Sequence, residues 1–375
     1  MSIKYSIVKI GIGALRALYA PMKLQKTRNK VVFISRQSEK PSVDLLKLRD
    51  YLEKNHPEVE VKLMVRMLEG HSKVGYAFHM ISQMMNIASS KLVVLDGYCI
   101  AACILNHKPE TKIIQMWHAT AAIKNFGYQV INKPSGRSAE VAETMCMHRN
   151  YDYIIAPSEV TGEHFCQAFR ADRDKLRFYC LPRIDDIMAE DSQLNEKIRK
   201  EYGLGDDKEV VVYVPTFRRN AVVETKPLIE SLDPEKYVLV IKLHPLDETE
   251  VDTEGTDLRV IADRKYSSYE WLKAADRIIT DYSALGVEAA LVMKPLYYYV
   301  YDIDEYKEDV GLNVDPLVEL PQMSSKDAGE LAKMMERPYD FDALRAFRNR
   351  FVSVDTDNST GKLGEFIHGI IKEIS

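Results

Sequence analysis

Apolar and polar positions along the chain alternate between short β-branched runs and longer stretches with helical spacing. In the first half, this pattern predicts strands at 31–35, 59–65, 91–96, 112–117, 151–156 and 176–179. Helical periods at 44–54, 71–89 and 161–169 separate some of these strands. The alternation restarts after residue 207, with predicted strands at 210–214, 238–243, 258–261, 277–280 and 296–300. Strands that alternate with helices predict a parallel sheet covered on both faces.

Two such series predict two domains of the α/β class. A polar and charged stretch at 185–207 separates them, so we expect domains at 28–190 and 191–340. A length of 375 residues with 46% hydrophobic residues is sufficient for two packed cores. We expect each domain to be doubly wound and Rossmann-like. Ligands are then expected beyond the carboxyl ends of the strands, in a cleft formed by the facing edges of the two domains.

Composition excludes several classes of function. The net charge of −5 gives no general argument for nucleic-acid binding. Five cysteines without a CxxC pair argue against a disulfide framework or a zinc ribbon, and Cys99 and Cys103 are expected to be buried apolar residues. Asp302 and Asp304 form a DxD pair, which we interpret as surface carboxylates and not as a metal site. Neither a metal nor a cofactor is therefore expected.

Residues 1–27 predict a basic amphipathic helix. Ile7, Ile10, Ala14 and Leu18 recur at three- and four-residue spacing, and seven lysines and arginines lie between residues 4 and 30, before the first acidic residue, Glu39. Such a helix suits an anionic membrane surface. Packing on its own domain or on a second copy of the chain is the alternative, so a homo-oligomer stays open. Because no stretch is long and apolar enough to span a bilayer and no cleavable signal is recognisable, we expect a peripheral protein on the cytoplasmic face of the membrane.

The stretch 276–306 has the pattern of one complete strand, helix, strand unit. Asp281, Ser283 and Ala284 follow its first strand, where the amino terminus of the next helix offers backbone amides to a phosphate. Ser283 or Asp281 is expected to cap that helix. Glu288 lies about one turn further along, where a carboxylate can accept hydrogen bonds from the hydroxyls of a ribose. A nucleotide site is the prediction, and an ordinary capped helix with a solvated Glu288 is the alternative.

Two more strand ends of the second domain carry polar residues. The strand at 210–214 leads into Thr216, Arg218 and Arg219, and the strand at 238–243 leads into His244 and Pro245. An arginine can bind phosphate oxygens bidentately, and a histidine held by the following proline can donate to the same group. The alternatives are a surface charge for the arginine and a structural role for the histidine. Three polar clusters on one sheet edge favour a binding site.

In the first domain, the strand at 112–117 leads into His118. A histidine is a suitable general base at neutral pH because its unperturbed pKa is near 6.5. Thr120 is a candidate hydroxyl donor, and Lys124 is expected one turn into a following helix. We assign both to the acceptor side of the site. The alternative is a structural role for His118.

Several motifs, in this order, resemble those of the CDP-glycerol glycerophosphotransferases of teichoic acid synthesis. They are WHAT at 117–120, YVPTFR at 213–218, KLHP at 242–245 and the run ITDYSALGVEAALVMKPLYYYVYDIDEY at 279–306. The segments 151–169 and 354–362 also match, so the resemblance covers the chain from residue 112 to its end. It implies a GT-B-like pair of Rossmann-type domains, with carboxyl-terminal helices at 341–375 that cross back onto the first domain.

The resemblance also implies a reaction. A hydroxyl of a lipid-linked cell-wall saccharide attacks the phosphorus of CDP-glycerol nearest the glycerol, and CMP leaves, with ribitol or another polyol open as the transferred group. The roles implied are His118 as base, His244 and Arg218 on the diphosphate, Ser283 on a phosphate, Glu288 on the ribose and Asp281 positioning the loop. Such a transfer needs in-line geometry and positive charge.

Three residues depart from the family pattern. Ala119 stands where the family has Gly, Ala121 replaces a common Pro, and Ala284 replaces the second Ser of DYSS. These departures bear on substrate identity more than on the reaction class. Two alternatives therefore remain, a GT-B glycosyltransferase with a nucleotide-sugar donor and a non-catalytic homologue that binds a nucleotide or glycan.

Overall fold

A computed structural model of the chain describes residues 3–68, 72–218, 222–244, 247 and 250–374, with the side chains of residues 3–5 and 73 left out. The chain divides into two compact units. Unit 1 contains residues 1–120, 125–185 and 353–375, and unit 2 contains 121–124 and 186–352. The carboxyl-terminal segment therefore returns to the first unit.

Unit 1 is built on a six-stranded parallel sheet with the order β2-β1-β3-β4-β5-β6. Its strands are β1 (Arg28–Ser35), β2 (Glu60–Val65), β3 (Ser90–Leu95), β4 (Lys112–Gln115), β5 (Tyr153–Ala156) and β6 (Leu176–Phe178). All six residues of β3 are buried, as expected for a central strand covered on both faces. β2 and β3 lie on opposite sides of β1, so the strand order reverses between β1 and β3. This reversal is the topological switch point of unit 1.

Helices cover the unit 1 sheet. They are α1 (Ile3–Met22), α2 (Val43–Asn55), α3 (Lys73–Ala88), α4 (Ile100–Ile104), α5 (Ala139–Thr144), α6 (Glu159–Phe169), the start of α7 (Arg183–Met188) and α16 (Ser359–Glu373), with 3₁₀ turns at Gly127–Val130 and Arg173–Lys175. α16 packs its apolar face, including Leu363 and Ile367, on the core formed by β1, β3 and α2. This confirms that the last helix crosses back onto the first domain.

α1 has an inner and an outer face. Ile12 and Tyr19 are buried, the Tyr19 hydroxyl lies 3.0 Å from His107 Nδ1, and Arg16 Nε donates to the carbonyl of Ile104 at 2.8 Å. The predicted apolar stripe faces outward, since Ile7 is 64% exposed. None of the helices in the described part of the chain is both long enough and apolar enough to cross a membrane.

Unit 2 has a second six-stranded parallel sheet, with the order β12-β11-β10-β7-β8-β9. Its strands are β7 (Glu209–Val214), β8 (Tyr237–Ile241), β9 (Arg259–Ile261), β10 (Arg277–Thr280), β11 (Leu296–Tyr299) and β12 (Ser324–Ser325). Here the order reverses between β7 and β10, whose last residues, Val214 and Thr280, pair directly. Both units are thus doubly wound α/β sheets, as predicted.

The helices of unit 2 lie around this sheet. They are the end of α7, α8 (Ser192–Glu201), α9 (Lys226–Ser231), α10 (Ser268–Ala274), α11 (Leu285–Leu291), α12 (Ile303–Asp309), α13 (Pro316–Glu319), α14 (Ala328–Met335) and α15 (Phe341–Phe351), with a 3₁₀ turn at Pro321–Met323. Lys294, just before β11, donates to the carbonyls of Leu272, Lys273 and Ala275 at 2.6–3.0 Å. It thereby satisfies the carboxyl-terminal carbonyls of α10.

Two strands end earlier than predicted, and one predicted helix is absent. β4 stops at Gln115 and not at residue 117, because Trp117 has a left-handed backbone (φ 60°). β8 likewise stops at Ile241. No helix follows His118 between residues 119 and 126, so the predicted helical position of Lys124 is also wrong. The predicted helix at 71–89 is α3, capped by Ser72, and His71 lies outside the described residues.

Candidate functional site

The switch point of unit 2 gathers Thr216 and Asp281. Asp281, directly after β10, is fully buried and accepts the backbone N–H of Thr216 at 2.8 Å. One residue earlier, the Thr280 hydroxyl donates to the carbonyl of Val214 at 2.7 Å. The ends of β7 and β10 are therefore tied together at the edge where ligands bind in open α/β sheets. Asp281 holds this loop and does not cap the following helix.

Arg218 lies in a buried ion-pair network. Its Nη1 donates to Asp281 Oδ2 at 2.9 Å and to the carbonyl of Thr216 at 3.0 Å. Its Nε and Nη2 donate to the two carboxylate oxygens of Asp302 at 2.7 and 2.9 Å. These contacts use four of the five N–H donors that a guanidinium has. Arg218 thus fixes three loops at the carboxyl edge of the sheet, a role that sequence analysis did not assign.

The DxD pair divides into two different environments. Asp302 pairs with Arg218 and also accepts the Tyr282 hydroxyl at 3.0 Å, so its side chain is only 24% exposed. Asp304 is 72% exposed and forms a surface ion pair with Lys326. The surface interpretation is confirmed for Asp304 and wrong for Asp302, whose oxygens are held by arginine and tyrosine donors.

The start of α11 presents the remaining predicted phosphate contacts. Ala284 is the N-cap residue and has no side-chain cap, and the Ser283 hydroxyl oxygen accepts the N–H of Leu285 at 3.3 Å. Just beyond the end of β7, the Thr216 hydroxyl is buried and has no hydrogen-bond partner among the described residues. A buried hydroxyl at a switch point calls for a partner, and the described residues do not supply one.

Glu288 is 2% exposed, and one of its carboxylate oxygens accepts the Tyr269 hydroxyl at 2.6 Å. The alternative of a solvated Glu288 is therefore wrong. Its role as a ribose ligand stays a prediction. The Tyr269 hydroxyl fixes the orientation of the carboxylate, which is the kind of support that a ligand-binding carboxylate requires.

His244 and Lys124 both belong to unit 2. His244 is exposed at the end of β8 and its ring packs on Phe217, with ring centres 5.1 Å apart. Desolvation, and then the charge of Lys124, lower the pKa of His244, while Asp247 opposes this. The predicted partners Arg219 and Pro245 lie outside the described residues.

Lys124 was expected on the acceptor side, in the first domain. The structure instead places residues 121–124 in unit 2, where Lys124 forms an isolated antiparallel bridge with Leu312. Desolvation lowers the pKa of Lys124, and Asp281 partly restores it, while Arg218 lowers it further. No residue pattern predicts this, because the segment joins unit 2 through a tertiary contact, the backbone bridge between Lys124 and Leu312.

His118 of unit 1 is held in one tautomer. The chain leaves β4, turns at the left-handed Trp117, and brings His118 Nδ1 to 2.9 Å from the backbone carbonyl of Asp96. Since a carbonyl only accepts, Nδ1 carries the proton of the neutral ring and the lone pair is on Nε2. A left-handed backbone at a non-glycine residue is typical of functional sites. His118 therefore has the form that a general base requires. Thr120 follows it and is buried.

Asp96 is a residue that sequence analysis missed. It follows β3 at the switch point of unit 1, is 2% exposed, and neither of its carboxylate oxygens has a hydrogen-bond partner among the described residues. Desolvation raises the pKa of Asp96 to about 6, and the Ser35 hydroxyl and Arg183 oppose this. Asp96 is a candidate site residue because β3, which it follows, lies beside β1 where the strand order reverses. The sequence does not contain that order, so Asp96 could not be predicted.

The fold and these two strand-end sites define a class. The chain has two Rossmann-like units, one with an oriented histidine and the other with an arginine, threonine and carboxylate cluster at its switch point, which is typical of nucleotide-dependent transferases. Residues 18–369 match the family described as CDP-Glycerol:Poly(glycerophosphate) glycerophosphotransferase, and the chain belongs to this family.

Curated relatives carry related names. A teichoic acid ribitol-phosphate primase of Bacillus spizizenii is 26% identical over 97% of this chain and 97% of its own length. A teichoic acid glycerol-phosphate primase of Bacillus subtilis is 27% identical over 78% of this chain and 77% of its own. A teichoic acid poly(ribitol-phosphate) polymerase of Bacillus spizizenii is 27% identical over 76% of this chain, but only 47% of its own length is covered.

Solved structures show the same fold. The wall teichoic acid polymerase TagF superposes with a TM-score of 0.73 at 22% identity, covering 99% of this chain and 97% of that chain. The UDP-GlcNAc 2-epimerase of Methanocaldococcus jannaschii, solved with UDP-GlcNAc and UDP, covers 91% of this chain and 99% of that chain at a TM-score of 0.55 and 15% identity. At these identities the likeness is one of fold.

Proposed function

We propose that this chain transfers glycerol phosphate, or a related polyol phosphate such as ribitol phosphate, from its CDP-linked form to a hydroxyl of a lipid-linked saccharide in teichoic acid synthesis. The match of residues 18–369 to the glycerophosphotransferase family carries this proposal. The names of the relatives support it, since primases and polymerases of both polyols are among them. Alignment over nearly the whole of a primase supports the addition of a single unit.

In the proposed reaction, an acceptor oxygen bonds to the phosphorus nearest the polyol. The bond from that phosphorus to the bridging oxygen breaks, and its electron pair leaves with CMP. The acceptor proton goes to Nε2 of His118, whose Nδ1–H is anchored on the Asp96 carbonyl 2.9 Å away. Anchoring the ring keeps this lone pair in a fixed direction, which contributes to catalysis through orientation.

Unit 2 supplies the donor-binding residues in this proposal. Thr216, Ser283 and the first amides of α11 contact phosphate oxygens, and His244 acts on the diphosphate as a catalytic hydrogen-bond donor. Glu288, oriented by Tyr269 at 2.6 Å, binds the ribose hydroxyls. The buried Thr216 hydroxyl, for which the described part of the chain supplies no partner, supports this assignment because a phosphate oxygen would satisfy it.

Each role has its own test. With CDP-glycerol and a lipid-linked disaccharide, His118→Asn is expected to lower CMP release by about 10²–10⁴-fold while leaving CDP affinity unchanged, because a base acts only in the transfer step. Thr216→Val should weaken CDP binding measured by calorimetry. His79→Gln, on α3 of the same unit as His118, is the matched control and should retain activity. CMP release by His118→Asn at the rate of the unchanged protein would remove this residue from the mechanism.

The donor and the number of units added are settled by product mass. Incubation with CDP-glycerol, CDP-ribitol or a UDP-sugar, followed by mass spectrometry of the acceptor, is expected to show one added polyol phosphate from a CDP donor. Transfer from the UDP-sugar alone would establish the glycosyltransferase alternative. Binding of nucleotide with no product from any donor would establish the non-catalytic alternative.

We also propose that α1 brings the enzyme to the cytoplasmic face of an anionic membrane. Its outer face exposes Ile7, Ile10 and Leu18 at 64%, 72% and 44%, and the neighbouring α3 exposes Val74 and Phe78 at 66% and 69%. An apolar surface of this kind on adjacent helices is typical of interfacial binding. The predicted basic face of α1 is smaller than expected, since Arg16 is turned inward onto the carbonyl of Ile104.

Vesicle flotation tests this placement. Ile10→Asp is expected to reduce binding to vesicles containing phosphatidylglycerol, because a carboxylate then replaces an apolar contact and repels the anionic surface. Val318→Asp, on α13 of unit 2, is the matched control because Val318 is also 72% exposed. Equal flotation of both variants and the unchanged protein would contradict the assignment of α1 to the membrane.

A further inference from the structure

Two histidines and two glutamates meet on the surface of unit 1, near the amino-terminal end of β2, whereas His118 follows the carboxyl end of β4. His56 is the C-cap residue of α2, and Glu58 follows it just before β2. Glu365 and His368 are one turn apart on α16. The cluster therefore joins two segments that are 310 positions apart in the chain.

The donor atoms of this cluster converge. The imidazole rings of His56 and His368 are stacked, with centres 3.5 Å apart and planes inclined by 24°. His368 Nε2 lies 3.0 Å from Glu58 Oε1, and His56 Nδ1 lies 4.0 Å from the same oxygen. One nitrogen of each ring and one Glu58 oxygen all lie within 4.8 Å of one another. Small side-chain movements bring three such ligands onto one ion, whose bonds to nitrogen and oxygen are about 2.0–2.2 Å long.

The fourth residue supplies the support that metal-binding histidines require. Glu365 Oε1 accepts His56 Nε2–H at 2.8 Å, and the Tyr51 hydroxyl donates to the same oxygen at 2.7 Å. With its proton on Nε2, the neutral His56 ring has its lone pair on Nδ1, the nitrogen that faces Glu58. Metal-binding histidines characteristically donate their other N–H to a carboxylate in this way. Glu365 also lies 4.0 Å from His368 Nδ1, so it is placed to support both rings.

We propose that His56, Glu58 and His368 bind a divalent transition-metal ion, for which Zn²⁺ is the representative, with Glu365 orienting the imidazoles. Two imidazole nitrogens and one carboxylate oxygen suit Zn²⁺ and exclude a preference for Ca²⁺ or Mg²⁺, which favour oxygen ligands. The rings turn out of their stack on binding, because each ring plane must contain the ion. His368 changes tautomer, so that its proton is on Nδ1 and its Nε2 lone pair binds the ion. Glu365 then accepts a hydrogen bond from Nδ1–H. Water fills the fourth position on the open side of Glu58, which is 54% exposed.

The ion would act as a clip between the link from α2 to β2 and the last helix. α16 closes the apolar core of unit 1, so an ion that binds only the folded arrangement stabilises that unit by mass action. None of these four residues is assigned to the transfer reaction, so the effect of the ion is expected on stability and not on the transfer step.

The test uses the full-length protein stripped with a chelator and dialysed. Titration with ZnCl₂ in a calorimeter at neutral pH should show one site and a rise in the unfolding temperature of unit 1. His56→Gln with His368→Gln should abolish this site. Glu58→Gln keeps both rings and should weaken binding, and Glu365→Gln should weaken it by about 10–100-fold, as observed for such supporting carboxylates. Glu373→Gln, an exposed carboxylate on the same helix, is the matched control and should bind as the unchanged protein does.

Co²⁺ provides a second readout that does not depend on stability. Its visible absorption is strong only when four or five ligands surround it, so the unchanged protein should acquire a band that the double variant lacks. Two outcomes would overturn the proposal: no Zn²⁺ binding by the unchanged protein, or Zn²⁺ binding with equal affinity in the double histidine variant. In either case the cluster is a hydrogen-bonded network of imidazole rings and carboxylates.

Discussion

Replacing Asp96 with asparagine should stabilise unit 1 at neutral pH and leave it unaffected in acid. Asp96 is 2% exposed, and neither of its carboxylate oxygens has a hydrogen-bond partner among the described residues. A buried carboxylate of this kind disfavours its own ionised form. Asparagine has nearly the same shape and cannot ionise, so the substitution removes the charge and little else.

The magnitude follows from the pKa of Asp96. Desolvation raises this pKa from 3.8 to about 6. At about 1.36 kcal/mol per pH unit, the difference corresponds to about 3 kcal/mol. Because the folded pKa is raised, the folded state binds the proton more tightly than the unfolded chain does. The favourable contribution is therefore complete below pH 3.8 and is lost as the pH rises through about 6. The stability of Asp96→Asn relative to the unchanged protein should rise over the same window.

Urea unfolding from about pH 4 to pH 8 measures this difference. The chain has two tryptophans, Trp117 in unit 1 and Trp271 in unit 2. With Trp271→Phe in every protein compared, the fluorescence reports unit 1 alone. Asp50→Asn serves as the control, because Asp50 lies on α2 with its side chain 63% exposed. Its stability difference should not change across the window.

A pH-independent effect of the asparagine amide would change the stability difference by the same amount at every pH. It would leave the slope of that difference against pH unchanged. A stability difference that stays flat between pH 4 and pH 8 would show that Asp96 titrates as an ordinary carboxyl group. The account of its burial would then be wrong. A slope of the opposite sign would show that the ionised form is the one that the fold stabilises.

Three further substitutions test other contacts. Gly286→Ala would place a Cβ atom 2.6 Å from the Tyr298 hydroxyl oxygen, so we expect the free energy of unfolding to fall by about 1–3 kcal/mol. Adding Tyr298→Phe removes that oxygen and should restore most of the loss in thermal unfolding. Strictly additive effects of the two substitutions would contradict this. Lys294→Met removes three hydrogen bonds to the end of α10, so we expect the free energy of unfolding in urea to fall by about 1–3 kcal/mol. An unchanged unfolding midpoint would rule out the capping role. Lys124→Met removes a positive charge that lowers the pKa of His244, so this pKa, followed by NMR, should rise.

Much of the fold could be predicted because its signals are local. The central strands are continuous apolar runs, and the polar residues that follow them mark the carboxyl edge, so β7 and β10 were located within one residue. The ends of the strands were harder to predict. β4 ends just before Trp117, whose left-handed backbone conformation is not indicated by any residue pattern. The order of the strands in each sheet could not be predicted from the sequence either. Without that order, Asp96 could not be placed at a switch point.

The site residues divide in the same way. Thr216 and Asp281 were proposed from their positions after strands, and the structure joins them through a hydrogen bond of 2.8 Å. Lys124 was assigned to the first domain, whereas the structure groups it with unit 2, because a segment of four residues joined by an isolated bridge has no periodic pattern. Asp302 was assigned to the surface. Its pairing with Arg218 could not be predicted, because the two residues are far apart in the sequence and the DxD motif does not indicate a partner.

The charges around Arg218 also change how donor binding must work in unit 2. Its guanidinium carries one positive charge, and the paired Asp281 and Asp302 carry two negative ones, so the cluster is net negative before any ligand arrives. A diphosphate adds more negative charge, and Arg218 has only one N–H left to offer it. Lys124 is a further cation near this cluster, since its pKa responds to both Asp281 and Arg218. We therefore expect the phosphates to rely on Lys124, His244 and the first amides of α11, with Arg218 holding in place the loops that present them.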